Sequence, residues 1–219
     1  MTDESRPRRR MTAAARRSQL IDIARAVFAE RGYDAATIEE IAARAEVSKP
    51  VVYEHFGGKE GIYAVVVDRE MEMLLDLFSR AMLENRSKSR VEQIALSLLT
   101  YVEERADGFR ILTRGSSAQH PEGGYSTLLN DLVGQVEVNL EGEFDRRGFD
   151  PTLAPLYAQA LVGMVAMTAQ WWLESRSLSK EFVAAHVVNL CWYGLTGLKD
   201  NPVAIEPSSI GLTDGDTAP

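Results

Sequence analysis

Four side chains that can donate hydrogen bonds to nucleic-acid phosphates or bases lie close together in the chain. Lys49, Tyr53, His55 and Lys59 carry an ammonium, a phenol, an imidazole and a second ammonium. Phosphate oxygens accept from all of these groups, and lysine can also donate to O6 and N7 of guanine in the major groove. The four residues therefore predict a nucleic-acid contact, provided that neighbouring elements hold them in place.

The segment 37–59 has the pattern of two short helices joined by a tight turn at 45–47. Thr37 is a good N-cap for the first helix, and Glu40 three residues later completes a capping box. The buried stripe at helical spacing consists of Ile38, Ile41 and Ala42.

The second helix is expected to begin after Ser48, which is a good N-cap residue. Pro50 lies in the first turn of this helix, where proline is tolerated. Val52 and Phe56 are four residues apart and are expected to face inward. A short second helix that packs against the first is typical of a helix-turn-helix motif, whose second helix enters a DNA major groove. The alternative is an ordinary helical hairpin in a core, which would not need Lys, Tyr and His projecting together from so short a helix.

Residues 16–62 resemble the DNA-binding domain of TetR-type transcriptional regulators. The resemblance covers about a quarter of the chain and is specific; the remainder matches only in length and helical character. The residues that carry it are Ile21-Asp-Ile-Ala-Arg-Ala-Val-Phe28, Arg31-Gly-Tyr33, Thr37, Ile41-Ala42, Val47-Ser48, Val52-Tyr53-Glu54-His55-Phe56 and Gly58-Lys59-Glu60.

The resemblance and the donor chemistry together indicate the DNA contacts. Lys49, Pro50 and Val51 open the recognition helix, where Lys49 reaches guanine and the other two offer apolar contact, for example to a thymine methyl. The expected phosphate contacts come from Thr37 at a helix N-terminus and from Arg44, Ser48, Tyr53, His55 and Lys59.

Two residues depart from the family pattern. Glu46 occupies the turn where the family often has glycine, and a left-handed backbone there costs a non-glycine residue about 1 kcal/mol. Glu54 is an acid within the recognition helix, so it must point away from phosphate or accept from cytosine N4.

The charge is unevenly distributed along the 219 residues. The net charge is −8, but residues 1–60 carry 11 Lys/Arg against 10 Asp/Glu. DNA binding must therefore be local. An N-terminal arm could add phosphate or minor-groove contacts, or it could be a solvated tail. The arginines that precede the first long apolar run are Arg6, Arg8, Arg9, Arg10, Arg16 and Arg17.

Helical periodicity runs throughout the chain and predicts an all-α fold of about nine helices. Besides the two short ones, the expected helices span 12–31, 59–81, 90–104, 107–114, 125–147, 151–175 and 180–198. The predicted division is a basic disordered arm at 1–11, a three-helix helix-turn-helix DNA-binding domain at 12–58, a helical effector-binding and dimerisation domain at 59–199 and a disordered tail at 200–219. The helix at 59–81 joins the two domains.

No set of residues in the sequence has the spacing of a catalytic or metal-binding site, so the chain is not expected to be an enzyme or to need a cofactor. His55, His120 and His186 are far apart, and none has a further ligand at metal-site spacing. The lone Cys191 forbids an internal disulfide and is expected to be a buried thiol rather than a redox sensor. No signal peptide or run of 18 apolar residues is apparent, which predicts a cytoplasmic protein without a membrane span.

The helices at 151–175 and 180–198 are apolar nearly all round, so one side of each needs a partner. The resemblance implies a two-fold homodimer in which these helices from both chains form a four-helix bundle. It also places a small-molecule pocket among the fourth to eighth helices. The pocket candidates, each of which is alternatively plain core or surface, are Tyr101, Phe109, Leu112, Leu128, Leu132, Met164, Thr168 and Trp171, with Arg110, Arg114, Gln135 and Gln170 as polar contacts.

The sequence thus predicts a homodimeric DNA-binding regulator, most simply a repressor on a palindromic operator that a small apolar or acyl-like effector releases. An activator or a ligand-independent regulator of the same fold is the alternative within this class. An all-α interaction protein is the alternative outside it, but such a protein would not need the donors around the second short helix.

Overall fold

The computed structural model of the protein describes residues 11–83, 87–114 and 125–198. Within these ranges every regular element is helical, which confirms the predicted all-α fold. The elements are α1 (Ala13–Ala35), α2 (Ile38–Arg44), α3 (Lys49–Phe56), α4 (Lys59–Met82), α5 (Ser87–Glu104), α6 (Ala106–Arg114), α7 (Tyr125–Arg147), a 3-10 turn (Pro151–Leu153), α8 (Ala154–Ser175) and α9 (Lys180–Thr196).

Local sequence signals set most of the helix ends. The Thr12 hydroxyl accepts from the Ala15 N–H at 3.2 Å, and Gly32, at φ +75°, breaks the helical run of α1 where a glycine stop was expected. Helix α5 begins three residues before the predicted position, and a 3-10 turn precedes α8. Residues 1–10 of the predicted arm, the loop 115–124 and the tail 200–219 lie outside the described residues.

A continuous apolar core links the N-terminal three-helix unit to the rest of the chain. The predicted inner face of α1, from Leu20 to Phe28, is buried, as are Val52 of α3 and Ile62 of α4. Helix α1 packs against both α4 and α6, while α5 packs against α9 and α7 against α8. Leu75 of α4 was expected to face this core but is 39 % exposed. The small N-terminal unit is therefore held by α4 and α6, which supply core that it lacks by itself.

Glu70 of α4 is a buried acid at the junction of three helices. It is 1 % exposed, and it lies on the same face of α4 as Val66 and Leu74. Its carboxylate accepts from the Tyr101 hydroxyl at 2.7 Å and from Arg105 Nε and Nη2 at 2.9 and 2.5 Å. Arg25 of α1 places Nη1 3.6 Å from Glu70 Oε1. One carboxylate thus joins α1, α4 and α5.

The surroundings of Glu70 explain why its carboxyl group is ionised and why a neighbouring position in α6 is occupied by glycine. Burial by itself would raise the pKa of Glu70, but hydrogen bonds from Arg105 and Tyr101 outweigh it and hold the pKa below its usual range. Burial, together with the Glu70 charge, raises the pKa of the Tyr101 phenol. A Cβ at Gly108 of α6 would lie 2.2 Å from Glu70 Oε2, so only glycine lets α6 approach this carboxylate.

Helix α8 has a buried side and an uncovered apolar side. Ala158 and Trp172 are buried, whereas Met167 and Trp171 are more than half exposed. By length and composition alone, Pro151–Ser175 could cross a membrane, with a mean hydropathy of 1.4, a property that the sequence analysis did not expect. Because the core helix of a soluble protein passes the same test, and because α8 packs against α7 and α5, it fits this fold as a packing helix.

We expect Glu70→Gln to lower the free energy of unfolding by about 2–4 kcal/mol at pH 7, because Arg105 and Arg25 would lose their buried counter-charge. Chemical denaturation followed by circular dichroism measures this change. The matched control is Glu143→Gln, which removes a carboxylate that is also paired with two arginines but lies near the surface. The control substitution should lower the free energy of unfolding by less than about 1 kcal/mol. Equal losses in the two variants would contradict the special role of Glu70.

The same variant should remove part of the acid sensitivity of folding. A carboxyl group whose pKa is lower in the folded than in the unfolded state stabilises the folded protein. This stabilisation is complete when the pH is above the unfolded-state pKa, and it is lost as the pH falls through the folded-state pKa. Because the pKa of Glu70 is lowered from 4.5, the stability gap between wild type and Glu70→Gln should shrink as the pH falls below that value. A gap that stays constant down to pH 3 would contradict the assigned ionisation.

Candidate nucleic-acid interface and internal cavities

The turn between α2 and α3 is closed by backbone hydrogen bonds and one strained residue. The Val47 N–H donates to the Ala42 carbonyl at 3.0 Å, and the Glu46 N–H donates to the Ala43 carbonyl at 3.1 Å. Glu46 has φ +53°, so the left-handed conformation expected at this non-glycine position is present. The Thr37 hydroxyl caps α2 by accepting from the Glu40 N–H, whereas the Glu40 carboxylate is used in ion pairs with α1 and α2 arginines.

Helix α3 is anchored on its inner face and at its C-terminus. Val52 is fully buried, and Arg17 of α1 donates to the His55 carbonyl at 2.8 Å while its guanidinium lies 4.4 Å from the centre of the Phe56 ring. Gly57 ends the helix in a left-handed conformation. A Cβ at Gly61 would lie 1.9 Å from the Phe56 carbonyl oxygen, so this glycine permits α4 to start directly beside α3. These contacts fix the direction in which α3 presents its outer face.

The outer face of α3 carries the predicted donors. Ser48, Lys49 and Pro50 at its start are exposed, and Tyr53 is 53 % exposed although it is a large aromatic residue. Within the described helix-turn-helix, the Ser48 hydroxyl oxygen accepts no capping hydrogen bond from α3, and its exposed O–H can donate to a phosphate. The Lys49 ammonium pairs with Glu39 of α2, an exposed pair that competing phosphates or bases could displace. Glu54 is also exposed.

Lys59 lies at the other end of the candidate surface. Its ammonium donates to the Asp34 carbonyl at 2.9 Å and lies 4.5 Å from the centre of the Tyr33 ring. Tyr33 itself stacks on Phe28 and packs edge-on against Tyr63. Lys59 therefore connects the start of α4 to the turn that precedes α2, where Thr37 is exposed.

Three further predicted DNA contacts remain predictions, and their side chains are ion-paired or partly buried within the protein. The Arg44 guanidinium is held by Glu30 at 2.6 Å and by Glu40 at 2.7 Å, which ties α2 to α1 and raises the pKa of Arg44. Val51 is half-buried and packs against the core, so little of it can reach a base. The His55 side chain is half-buried.

The N-terminal arginines divide into two groups. Arg16 and Arg17 belong to α1, where Arg17 supports α3 from behind and Arg16 donates to Gln19. Both arginines lie inside the helix predicted at 12–31, ahead of its first long apolar run. Arg6, Arg8, Arg9 and Arg10 lie outside the described residues.

The helical body contains an apolar inner chamber of about 80 Å³ between α4, α5, α7, α8 and α9. Its lining is entirely non-polar apart from one thiol, and burial raises the pKa of that Cys191 thiol to about 11. The lining residues are Leu74, Phe78, Val91, Ile94, Leu98, Leu129, Leu132, Val136, Leu161, Val162, Val165, Ala166, Cys191 and Leu195.

A second, more polar cavity of about 320 Å³ opens beside the inner chamber, and we call it the mouth. It combines apolar and charged side chains from the start of α5, the end of α7 and the end of α9. The lining residues are Arg90, Val91, Ile94, Val136, Asn139, Leu140, Glu143, Phe144, Arg146, Arg147, Phe149, Leu161, Trp192, Leu195 and Thr196.

Most of the side chains predicted to line a pocket lie elsewhere. Leu132 lines the inner chamber, but Tyr101 is bound to Glu70 and packs edge-on against buried Phe109. Trp171 is 52 % exposed on the outer side of α8, and Arg114 borders a separate cavity between α1 and α6. Neither Met164 nor Thr168 is among the described residues that line the inner chamber or mouth. The Leu128 side chain lies outside the described residues.

Sequence reasoning missed the mouth because its charged residues come from two helix ends that are far apart in the chain, the start of α5 and the end of α7. The signal that could have found it is Arg146-Arg147 at the end of α7, immediately before the Gly148 turn. Among the described residues no group of three or more His, Cys, Asp or Glu could hold a metal ion. His120 lies outside those residues.

Two family models match the chain. The model described as "Bacterial regulatory proteins, tetR family" matches residues 20–66, which contain the helix-turn-helix. The model described as "Tetracyclin repressor-like, C-terminal domain" matches residues 79–206, more than half of the chain. The first match ends and the second begins within α4, the helix that joins the N-terminal unit to the remaining helices, and residues 67–78 lie between them.

Two characterised relatives share most of their length with this chain. The HTH-type transcriptional activator FasR from Mycolicibacterium smegmatis is 28 % identical over 197 residues, which covers 85 % of this chain and 86 % of that protein. The negative transcriptional regulator IcaR of the biofilm operon icaADBC from Staphylococcus epidermidis is 26 % identical over 166 residues, covering 76 % and 86 %.

Solved structures show the same fold. A TetR-like transcriptional regulator from Rhodococcus sp. RHA1 superimposes with a TM-score of 0.74 at 25 % identity, covering 86 % of this chain and 100 % of that chain. A tetR-family transcriptional regulator from Streptomyces coelicolor gives a TM-score of 0.65 at 26 % identity, covering 85 % and 82 %.

The strained turn generates a prediction about stability. Glu46→Gly should raise the free energy of unfolding by up to about 1 kcal/mol, because glycine adopts a positive φ without steric cost. Glu46→Ala keeps the Cβ and should give no gain, and thermal unfolding of both variants provides the measurement. A gain in the alanine variant equal to that in the glycine variant would show that backbone strain is not the cause.

Proposed function

The chain belongs to the TetR family of bacterial transcriptional regulators, and from this premise we propose that it acts as a homodimeric repressor. The protein is a DNA-binding transcriptional regulator, as its family membership and relatives show. The proposal adds that it binds a palindromic operator in the cytoplasm, has no enzymatic activity, and is released by a small effector with a large apolar part.

The exposed side chains on the outer face of α3 support the assignment of DNA binding to particular residues. Burial of Val52 and the Arg17 contacts hold the helix from behind, while Lys49 and Tyr53 are exposed in front. An exposed tyrosine and lysine on a rigid short helix match the division into phosphate-positioning and base-reading contacts. We assign Lys49 to base recognition and Tyr53, Ser48, Thr37 and Lys59 to phosphates.

The uncovered faces of α8 and α9 support the homodimer. Six large apolar side chains on these two helices are at least half exposed, and apolar residues of this size rarely form a continuous exposed patch on a monomer. A two-fold interface would cover them and would also place two copies of α3 on one side of a palindrome. The six residues are Leu156, Met167, Trp171, Phe182, Leu190 and Tyr193.

Helix α4 supports control by an effector. It begins at Lys59, next to the recognition helix, and its residues Leu74 and Phe78 line the inner chamber. A ligand that favours one position of α4 would change the separation of the two recognition helices in a dimer. Its differential affinity for the two positions would then determine how strongly it releases DNA.

An activator role is the second candidate, because FasR, an activator, is among the relatives, whereas IcaR is a negative regulator. A reporter gene placed behind the bound operator distinguishes them. Deleting the regulator should raise reporter expression if it is a repressor and lower it if it is an activator.

Substitutions on α3 and at the start of α4 should separate base recognition from phosphate binding. On DNA recovered by random-sequence selection, Tyr53→Phe should weaken binding about threefold to tenfold for all sequences. Lys59→Ala should also lower the salt slope by about one. Lys49→Ala should instead remove discrimination at one base position, by about fivefold to a hundredfold. Fluorescence anisotropy measures all three, and unchanged binding in every variant would refute the assignment of α3.

Charges on the uncovered face should break the dimer. We expect Met167→Glu and Leu190→Glu to shift the protein to a monomer in sedimentation equilibrium, because a carboxylate would be buried without a partner. Leu83→Glu is the control, since Leu83 is 80 % exposed but lies at the end of α4. A wild-type protein that is monomeric at micromolar concentration, or variants that remain dimeric, would contradict the proposed interface.

A further inference from the structure

The separate cavity between α1 and α6 has a volume of about 240 Å³, and we call it the joint cavity. One wall comes from the C-terminal end of α1 and from Tyr63 of α4, and the other wall comes from α6. Helices α1 and α6 pack directly against each other around it. The joint cavity therefore lies where the N-terminal unit meets the helical body, and it shares no described lining residue with the inner chamber or the mouth.

The joint cavity has an excess of positive charge. Arg31 of α1 lines one wall, and Arg110 and Arg114 of α6 line the other. Within the described part of the chain, Asp34 is the only acid in the lining. Like charges from the two walls therefore share one space, and an anion bound there would reduce their mutual repulsion.

The acids that pair with these three arginines leave guanidinium donors available. Each ion pair uses one nitrogen of a group that carries five N–H donors, and none of the three acids belongs to the described lining. Exposed pairs of this kind are also weak. The distances are 3.4 Å from Arg31 Nε to Glu40, 3.2 Å from Arg110 Nη1 to Asp107 and 3.8 Å from Arg114 Nη2 to Glu174.

The wall on the side of the N-terminal unit is aromatic. The rings of Phe28, Tyr33 and Tyr63 pack on one another with centroid separations of 6.2, 5.0 and 4.7 Å, so they support each other as one surface. Ile111 adds an apolar side chain from α6. Burial raises the pKa of both phenols, so neither adds a negative charge near neutral pH. Aromatic pairs gain more than their buried area provides, and a guanidinium plane can also stack on a ring.

We propose that the joint cavity binds a small aromatic carboxylate. The ring would lie against the three aromatic side chains, and the carboxylate would lie between Arg31 and the two α6 arginines, which can hold it through paired hydrogen bonds. The volume is below the roughly 300–1,000 Å³ that is usual for ligand pockets, so it fits a molecule with a single ring. This site is separate from the effector site of the proposed function, and it would hold α6 against α1.

Fluorine NMR of 4-fluorobenzoate added to the full-length protein without DNA measures binding directly. This anion should bind at least about tenfold more tightly than neutral 4-fluorobenzamide, because charge-assisted hydrogen bonds need the carboxylate. An equal concentration of inorganic phosphate should not displace it, because phosphate has no ring to place on the aromatic wall. Absence of binding, equal affinity for the amide, or displacement by phosphate would each overturn the proposal.

Neutral variants test the two walls separately. Arg31→Gln, and Arg110→Gln combined with Arg114→Gln, should each weaken 4-fluorobenzoate about tenfold and leave 4-fluorobenzamide unchanged. The matched control is Arg146→Gln combined with Arg147→Gln, which removes two arginines from the mouth and should change neither affinity. Circular dichroism establishes that each variant is folded. Weaker binding in the control, with full binding in the α6 variant, would place the ligand at the mouth and refute the joint site.

Hydrogen exchange tests whether the ligand joins the two walls. Saturating 4-fluorobenzoate should slow amide exchange severalfold in peptides that cover residues 28–35 and residues 106–114, because these segments lie on opposite sides of the cavity. A peptide that covers residues 136–147 of α7 is the internal control and should not change. Slower exchange on one wall alone, or equal slowing in the α7 peptide, would contradict a ligand held between α1 and α6.

Discussion

The ion pair between Glu70 and Arg105 is the interaction on which the arrangement of domains depends. A buried carboxylate is costly unless hydrogen-bond donors and opposite charges surround it. Here Tyr101 of α5, Arg105 between α5 and α6, and Arg25 of α1 supply them. These donors can reach Glu70 only when α1, α4 and α5 take one relative position. Gly108 adds a steric condition, since it allows α6 to close over the same carboxylate. Apolar packing would tolerate several positions of these helices, whereas this cluster favours one.

That position connects the two surfaces that matter for regulation. Helix α4 carries Lys59 at one end, Glu70 in the middle and the chamber residues Leu74 and Phe78 towards the other end. A change of volume in the chamber would act on the same rigid helix that carries the start of the DNA-binding surface. The cluster thus lies along α4 between the cavity and the recognition helix.

Local patterns in the sequence predicted local structure well. The Thr37 cap, the buried Val52, the strain at Glu46 and the bounds of α7 are set by neighbouring residues, so a single sequence reveals them. The Glu70 cluster was missed because its partners lie 31 and 35 residues away, although an acid on the Val66–Leu74 face was a visible anomaly. The positions of the cavities could not be read from the sequence for the same reason, because the packing of several helices decides which apolar side chains leave a gap. The ion pair of Arg44 with Glu30 and the partial burial of Val51 likewise depend on contacts with other helices.

Fluorescence anisotropy with DNA recovered by random-sequence selection tests the central claim most directly. The titration compares this DNA with a scrambled duplex of equal length and composition at two salt concentrations. A regulator that reads sequence through α3 should bind the selected DNA at least about a thousandfold more tightly, and binding to both duplexes should weaken as salt rises. Equal affinity for the two duplexes, with the same salt dependence, would contradict sequence-specific recognition and leave the helix-turn-helix as a structural element only.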